Sequence, residues 1–145
     1  MVSSPEWAVL IFMGIAGCTT IATDAMTEPL AAPGDPTRGR QVFVAREGGH
    51  CVLCHSAPGV AVAGDVGPSL AGVGSRLTPA QIRLRIADIT RVNPAATMPA
   101  FHRAGGERVA SSYAGKMALD GQEVEDLVAF LGTLTGVAPS GTELK

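Results

Sequence analysis

The pentapeptide Cys51-Val52-Leu53-Cys54-His55 constrains this chain more than any other stretch of it. Two cysteines at this spacing are ambiguous by themselves: they suit half of a zinc site, a redox dithiol, or a pair of haem attachment points. A histidine immediately after the second cysteine points to c-type haem. The reason is geometric. Thiols about one helical turn apart can add to the two vinyl groups of a haem. The adjacent histidine then lies beneath the ring and can ligate the iron from the proximal side. The rivals fit less well. A zinc site takes about four ligands, and the remaining candidates are His50 and His102, with no second cysteine pair. A thioredoxin-like dithiol needs a strand–helix context, whereas a predicted helix and Gly48-Gly49 precede this motif. The third cysteine, Cys18, makes an odd, low count, which is not a disulfide framework.

Composition agrees with one large bound group. The 145 residues carry a net charge of −2 and are 17% charged, against about 25% for an average soluble chain. Disorder driven by charge is excluded, and so is nucleic-acid binding through bulk positive charge. There are one Trp, one Tyr and four Phe, so a purely protein core would have to come from Ala, Val and Leu. With 18 Gly and 10 Pro the chain must be rich in loops. A single covalent haem c supplies the flat apolar body on which such loops can pack.

Residues 8–17 (AVLIFMGIAG) lack any polar side chain. The run is too short for a membrane span, which needs about 20 residues, and suits the apolar region of a secretory signal. It ends Ile15-Ala16-Gly17-Cys18, which resembles a bacterial lipobox, where the cysteine becomes the lipid-modified first residue. The alternatives are an ordinary signal cleaved later, for example after Ala25, and an uncleaved anchor. No Lys or Arg precedes the apolar run. The expected organisation is a leader over 1–25, a tether over 26–34, a haem domain over 35–136 and a tail over 137–145. The domain is expected in the periplasm, secreted or lipid-anchored through Cys18. Beyond residue 26 there are 11 basic and 11 acidic residues, so long-range steering of a partner is not expected.

The class read from the pattern is all-α: three main helices joined by long loops. Asp35 caps a first helix with Pro36 at its first position, ending at Gly48-Gly49. Gly39 inside it is tolerable if another helix packs closely there. Thr78-Pro79-Ala80-Gln81 opens a second helix with a capping box, its apolar stripe on Ile82, Ile86 and Ile89 with Arg83 and Arg85 pointing elsewhere; Asn93-Pro94 ends it. Asp120 and Glu123 box the start of a third, whose stripe runs Val124, Leu127, Val128, Leu131, Leu134. No period-2 run is long enough for a sheet.

The iron of such a haem needs a sixth ligand. Met98, Met117, His50 and His102 are the candidates. Met98 lies in a segment stiffened by Pro94 and Pro99, which suits a weak thioether bond, and is the expected ligand. Met117 reads as a cap on the core. His50 is too close to Cys51 to reach the other face, and His102 is the main rival. A proximal histidine usually donates its second ring N–H to a carbonyl or carboxylate, and the Pro68 carbonyl is a candidate, although Gly67-Pro68 alone reads only as a turn.

From Asp35 to Leu134 the chain resembles class I cytochromes c, and among them the X subunits of bacterial sulfur-oxidation (Sox) cytochromes. The segments GRQVFVAREGGHCVLCH (39–55), GDVGPSLAGVGSRLTPAQIRLRIAD (64–88), NPAATMPAFHR (93–103) and GQEVEDLVAFLGTL (121–134) carry the resemblance. It implies a small monohaem fold with Cys51 and Cys54 as thioethers, His55 as proximal and Met98 as distal ligand. It also implies pairing with a haem-bearing A-type Sox subunit. In that family the heterodimer, an L-cysteine S-thiosulfotransferase, joins thiosulfate to a cysteine of a carrier protein, and the X subunit accepts electrons for a downstream acceptor. No acid/base pair or further thiol lies near the haem motif, so the chain is not expected to be catalytic alone. The alternative is a freestanding periplasmic electron shuttle. A haem-based ligand sensor would need an open sixth position, against which the stiff Met98 segment argues.

Overall fold

The computed structural model describes residues 24–62, 64–105, 111 and 115–136. Most of the expected leader, Cys18 included, and the expected tail lie outside the described residues. The described residues form helices and loops with no strand: α1 (Pro36–Val44), α2 (Val73–Arg76), α3 (Pro79–Asp88) and α4 (Gly121–Thr133). Single 3-10 turns occur at Cys51–Leu53 and Ile89–Arg91.

The long helices start where the sequence says they should, because each start is a local matter. The Asp35 carboxylate accepts from the Thr37 and Arg38 amides, both at 2.8 Å. Thr78 with Gln81, and Asp120 with Glu123, close reciprocal capping boxes. Two ends differ from expectation. The first helix stops at Val44, not at Gly48-Gly49: Ala45 is already extended, and Gly48 and His50 take left-handed conformations that swing the chain into the Cys51 turn. The second helix expected from the sequence, α3, stops at Asp88, whose carboxylate caps the Ile89–Arg91 turn by accepting from Thr90.

Helix α4 is the centre. Its apolar stripe of Val124, Leu127, Val128, Leu131 and Leu134 is buried. α1 crosses it so closely that a Cβ on Gly39 would lie 1.9 Å from the Asp126 carbonyl oxygen and 2.8 Å from Phe130 Cβ. A glycine there admits backbone-to-backbone contact. One turn on, Phe43 and Phe130 rings meet at 5.5 Å and 55°, a tilted pairing worth about 0.5–1.5 kcal/mol beyond its burial.

The other side of α4 carries two consecutive acids, each tied to a different helix. Asp126 takes a two-pronged pairing from Arg38 of α1 (2.7 and 2.8 Å) and the Asp35 amide (2.8 Å). These contacts hold its carboxyl down at about 2 despite opposing desolvation. Glu125 receives two hydrogen bonds from Arg83 of α3 (2.6 and 2.9 Å). Burial pushes Glu125 upward, but Arg83 and the Leu30 amide outweigh it and leave it below the usual carboxylate value. Arg83 thus does not point to solvent; its side chain is 8% exposed.

The stretch 26–34, expected as a tether, is instead laid across α3 and α4. Met26 N–H donates to Ala80 O (2.9 Å), Met26 O accepts from Arg83 (2.7 Å), and Leu30 N–H donates to Glu125 (2.9 Å). Its lack of helical or strand period hid this, because the partners lie at least 54 residues away in sequence (80 − 26).

Candidate functional site

A cleft of about 710 Å³ opens between the Cys51–His55 segment, the 66–70 loop, one face of α3, the 93–99 loop and the apolar stripe of α4. Its walls are mostly apolar, from Phe43, Leu70, Ile82, Ile86, Phe101 and Leu127 among others. The alternation along α3 explains one wall: Ile82, Arg85, Ile86 and Ile89 share a face and all line the cleft. Arg85 therefore faces the cleft, contrary to the sequence expectation. Its place three residues after Ile82 on the stripe was the signal for it. Arg76 lines the cleft as well.

Cys51 heads the 3-10 turn, and the His55 amide donates to the Cys51 carbonyl at 2.9 Å. One compact turn thus brings Cys51, Cys54 and His55 to the same wall of the cleft. Burial pushes the Cys51 thiol up to about 11. A dithiol redox centre does the opposite and lowers its reactive thiol. Zinc fares no better: among the described residues no three His, Cys, Asp or Glu side chains are grouped to hold a metal ion.

The His55 ring is held by the 64–68 segment. Its Nδ1 lies 2.8 Å from Pro68 O. A carbonyl oxygen only accepts, so Nδ1 is the donor here, and in the neutral ring Nε2 is the nitrogen with a free lone pair. The Gly67 amide donates to Cys54 O at 2.7 Å and clamps this segment against the motif. A Cβ on Gly67 would lie 2.5 Å from His55 Cε1 and 2.7 Å from Nδ1, so the glycine is what lets the backbone lie against the ring. The sequence pointed to Pro68 as acceptor; the role of Gly67 was not legible, because a Gly-Pro pair reads as a turn whatever lies beside it.

Of the four candidates for a sixth ligand, Met98 and His50 line the cleft. Met117 is 47% exposed and lies outside it. His102 also lies outside it, with Nδ1 3.0 Å from Leu119 O. Met98 is partly buried against the core. A cleft that is apolar, bears two thiols and a tautomer-fixed imidazole on one wall and has a thioether in its lining fits a covalent haem: it can bury the macrocycle, bond its periphery and ligate its iron.

The comparisons agree. The family model for cytochrome c matches residues 36–135. A chain of the crystal structure of SoxXA from P. pantotrophus is 34% identical, with a TM-score of 0.69 over 78% of this chain and 91% of that one. The c-type cytochrome SorU from Sinorhizobium meliloti is 19% identical, with a TM-score of 0.44 over 70% of this chain and 91% of that one. No curated protein sequence matches the chain.

Proposed function

The chain belongs to the cytochrome c family, a monohaem electron-transfer protein with covalent haem c and a SoxX-like class I fold, and from that premise we propose that it is the electron-accepting subunit of a thiosulfate-oxidising complex. The observation that carries this reading is the 34% identity to a SoxXA chain, sustained over 91% of that chain. The partner is then an A-type Sox cytochrome, and the complex joins thiosulfate to a cysteine of a carrier protein. This chain's part is to take up electrons and pass them to a downstream acceptor.

The cleft supports the residue roles in this reading. Cys51 and Cys54 hold the haem through thioether bonds, and His55 Nε2 is the proximal ligand, presented because Nδ1 is committed to Pro68. Met98 is the distal ligand. Bound there, haem supplies one-electron iron chemistry. The apolar walls keep water away and so favour the less charged, reduced state. As thioethers, Cys51 and Cys54 cannot carry sulfur, and in this reading bond making belongs to the partner.

The apolar run at residues 8–17 and the Cys18 motif support a haem domain outside the cytoplasm, reached by lipid attachment at Cys18, plain secretion or an uncleaved anchor. Mass spectrometry of the mature amino terminus separates them.

Two measurements test the reading. The ferric holoprotein should show a thioether–iron charge-transfer band at the red end of the spectrum, lost in Met98→Ala and kept in Met117→Ala. Mixed with an A-type Sox cytochrome and a carrier protein, the chain should copurify with the former, and its haem should become reduced when thiosulfate is added. A haem that is not reduced under those conditions, in a chain that binds no such cytochrome, would leave a freestanding shuttle.

A further inference from the structure

We propose that Asp88 is the positioning residue that keeps the Met98 segment closed, because one carboxylate joins the two ends of that segment. The inference rests on the reading of Met98 as distal ligand. The chain leaves α3 through the Ile89–Arg91 turn, passes Pro94, Met98 and Pro99, and returns beside the last turn of α3. On return, Phe101 N–H donates to Ile86 O (3.3 Å) and His102 N–H to Ala87 O (3.1 Å).

Asp88 lies between the two ends. Its Oδ1 accepts from the Thr90 amide (3.1 Å) and from the Thr90 hydroxyl, on the outgoing side. Its Oδ2 accepts from Arg103 Nη1 (2.8 Å), on the returning side. Arg103 Nη1 also reaches Thr90 Oγ1 at 3.3 Å, which closes a small ring of polar contacts. The Asp88 side chain is 12% exposed and Arg103 is 47% exposed. The carboxylate is the sheltered, fixed partner, and the arginine is fastened to it.

A thioether is a weak iron ligand and stays bound only while its loop holds it there. Whatever closes the loop therefore enters the ligation equilibrium directly. If the Asp88–Arg103 link is lost, the open fraction rises, while the helices that bury the haem keep their own contacts.

Imidazole reports that open fraction, because it reaches ferric iron only when the thioether has left, and its apparent affinity scales with the open population. In holoprotein carrying Arg103→Gln, and in Asp88→Asn, the apparent imidazole affinity should rise roughly two- to fivefold, the worth of one half-exposed charged pair. Arg103→Lys should restore most of the wild-type value. Added to Met98→Ala, Arg103→Gln should change imidazole affinity no further. An unchanged affinity in Arg103→Gln would overturn the proposal, and so would an equal rise in the Met98→Ala background. Because Arg103 is half exposed, its variant remains a test even if Asp88→Asn does not fold. Persistence of the thioether–iron band in Met98→Ala is a separate result: it removes the reading of Met98, and this proposal with it.

Discussion

Replacing Gly67 by alanine should move the iron's midpoint potential upward. The new Cβ would sit 2.5 Å from His55 Cε1 and 2.7 Å from Nδ1. Carbon–carbon contact is favourable at about 3.5–4.0 Å, so ring and loop must part by about 1 Å. Gly67 is not one of the left-handed glycines, so alanine brings the collision without backbone strain. The same segment supplies Pro68 O, which accepts from His55 Nδ1 at 2.8 Å. Stretched by about 1 Å, that contact is no longer a hydrogen bond. Its net worth is about 1 kcal/mol. The donated hydrogen bond makes the imidazole more electron-rich and so favours ferric iron. If the whole of that contribution belongs to the ferric state, its loss raises the midpoint by up to roughly 40 mV, scaled from 59 mV per tenfold change of a one-electron equilibrium. Spectroelectrochemical titration of wild-type and Gly67→Ala holoprotein measures the shift. A midpoint that stays put while the ferric spectrum is also unchanged would show that the Pro68 contact does not set the electronic state of the iron, and would refute the reasoning.

Further outcomes concern the scaffold that carries the cleft. Gly39→Ala should destabilise the domain in urea unfolding by about 1–3 kcal/mol, the usual cost of overpacking. The collision 1.9 Å from Asp126 O outweighs the gain of about 1 kcal/mol from better helix propensity. Arg83→Met should cost about 3–5 kcal/mol by stranding the buried Glu125, while the double change Arg83→Met with Glu125→Leu should recover most of that loss; a double variant no better than the single would contradict the buried-pair account. Asp126 sits at about 2 in the fold against an ordinary 3.8. Its contribution is therefore complete above about pH 4 and drains away as pH falls toward 2. Urea midpoints taken from pH 5 to pH 2 should show a smaller acid loss in Asp126→Asn than in wild type.

These outcomes divide by what each residue depends on. Features decided within a few residues were legible in the sequence. The Asp35, Thr78 and Asp120 caps, the stripe of α4 and the turn that gathers Cys51, Cys54 and His55 need only their neighbours along the chain. Gly39 was readable as a close helix approach because a glycine inside a helix calls for a packing reason. The tertiary structure decided whatever depends on partners remote in the chain. Arg83 and Glu125 are 42 residues apart, and nothing local marks either as buried. Residues 26–34 show no period, yet their backbone groups are bound because α3 and α4 offer a carbonyl and side chains to pair with them. Pro94 and Pro99 marked Met98 in the sequence, but only the packing of the 93–99 loop over the cleft puts it in the lining, and Met117, which read as a cap on the core, is left exposed. The physical reason is the same in each case: caps and turns are satisfied by short-range hydrogen bonds, whereas a buried charge, a docked strap or a ligand's position is fixed by groups that meet only once the chain has closed on itself.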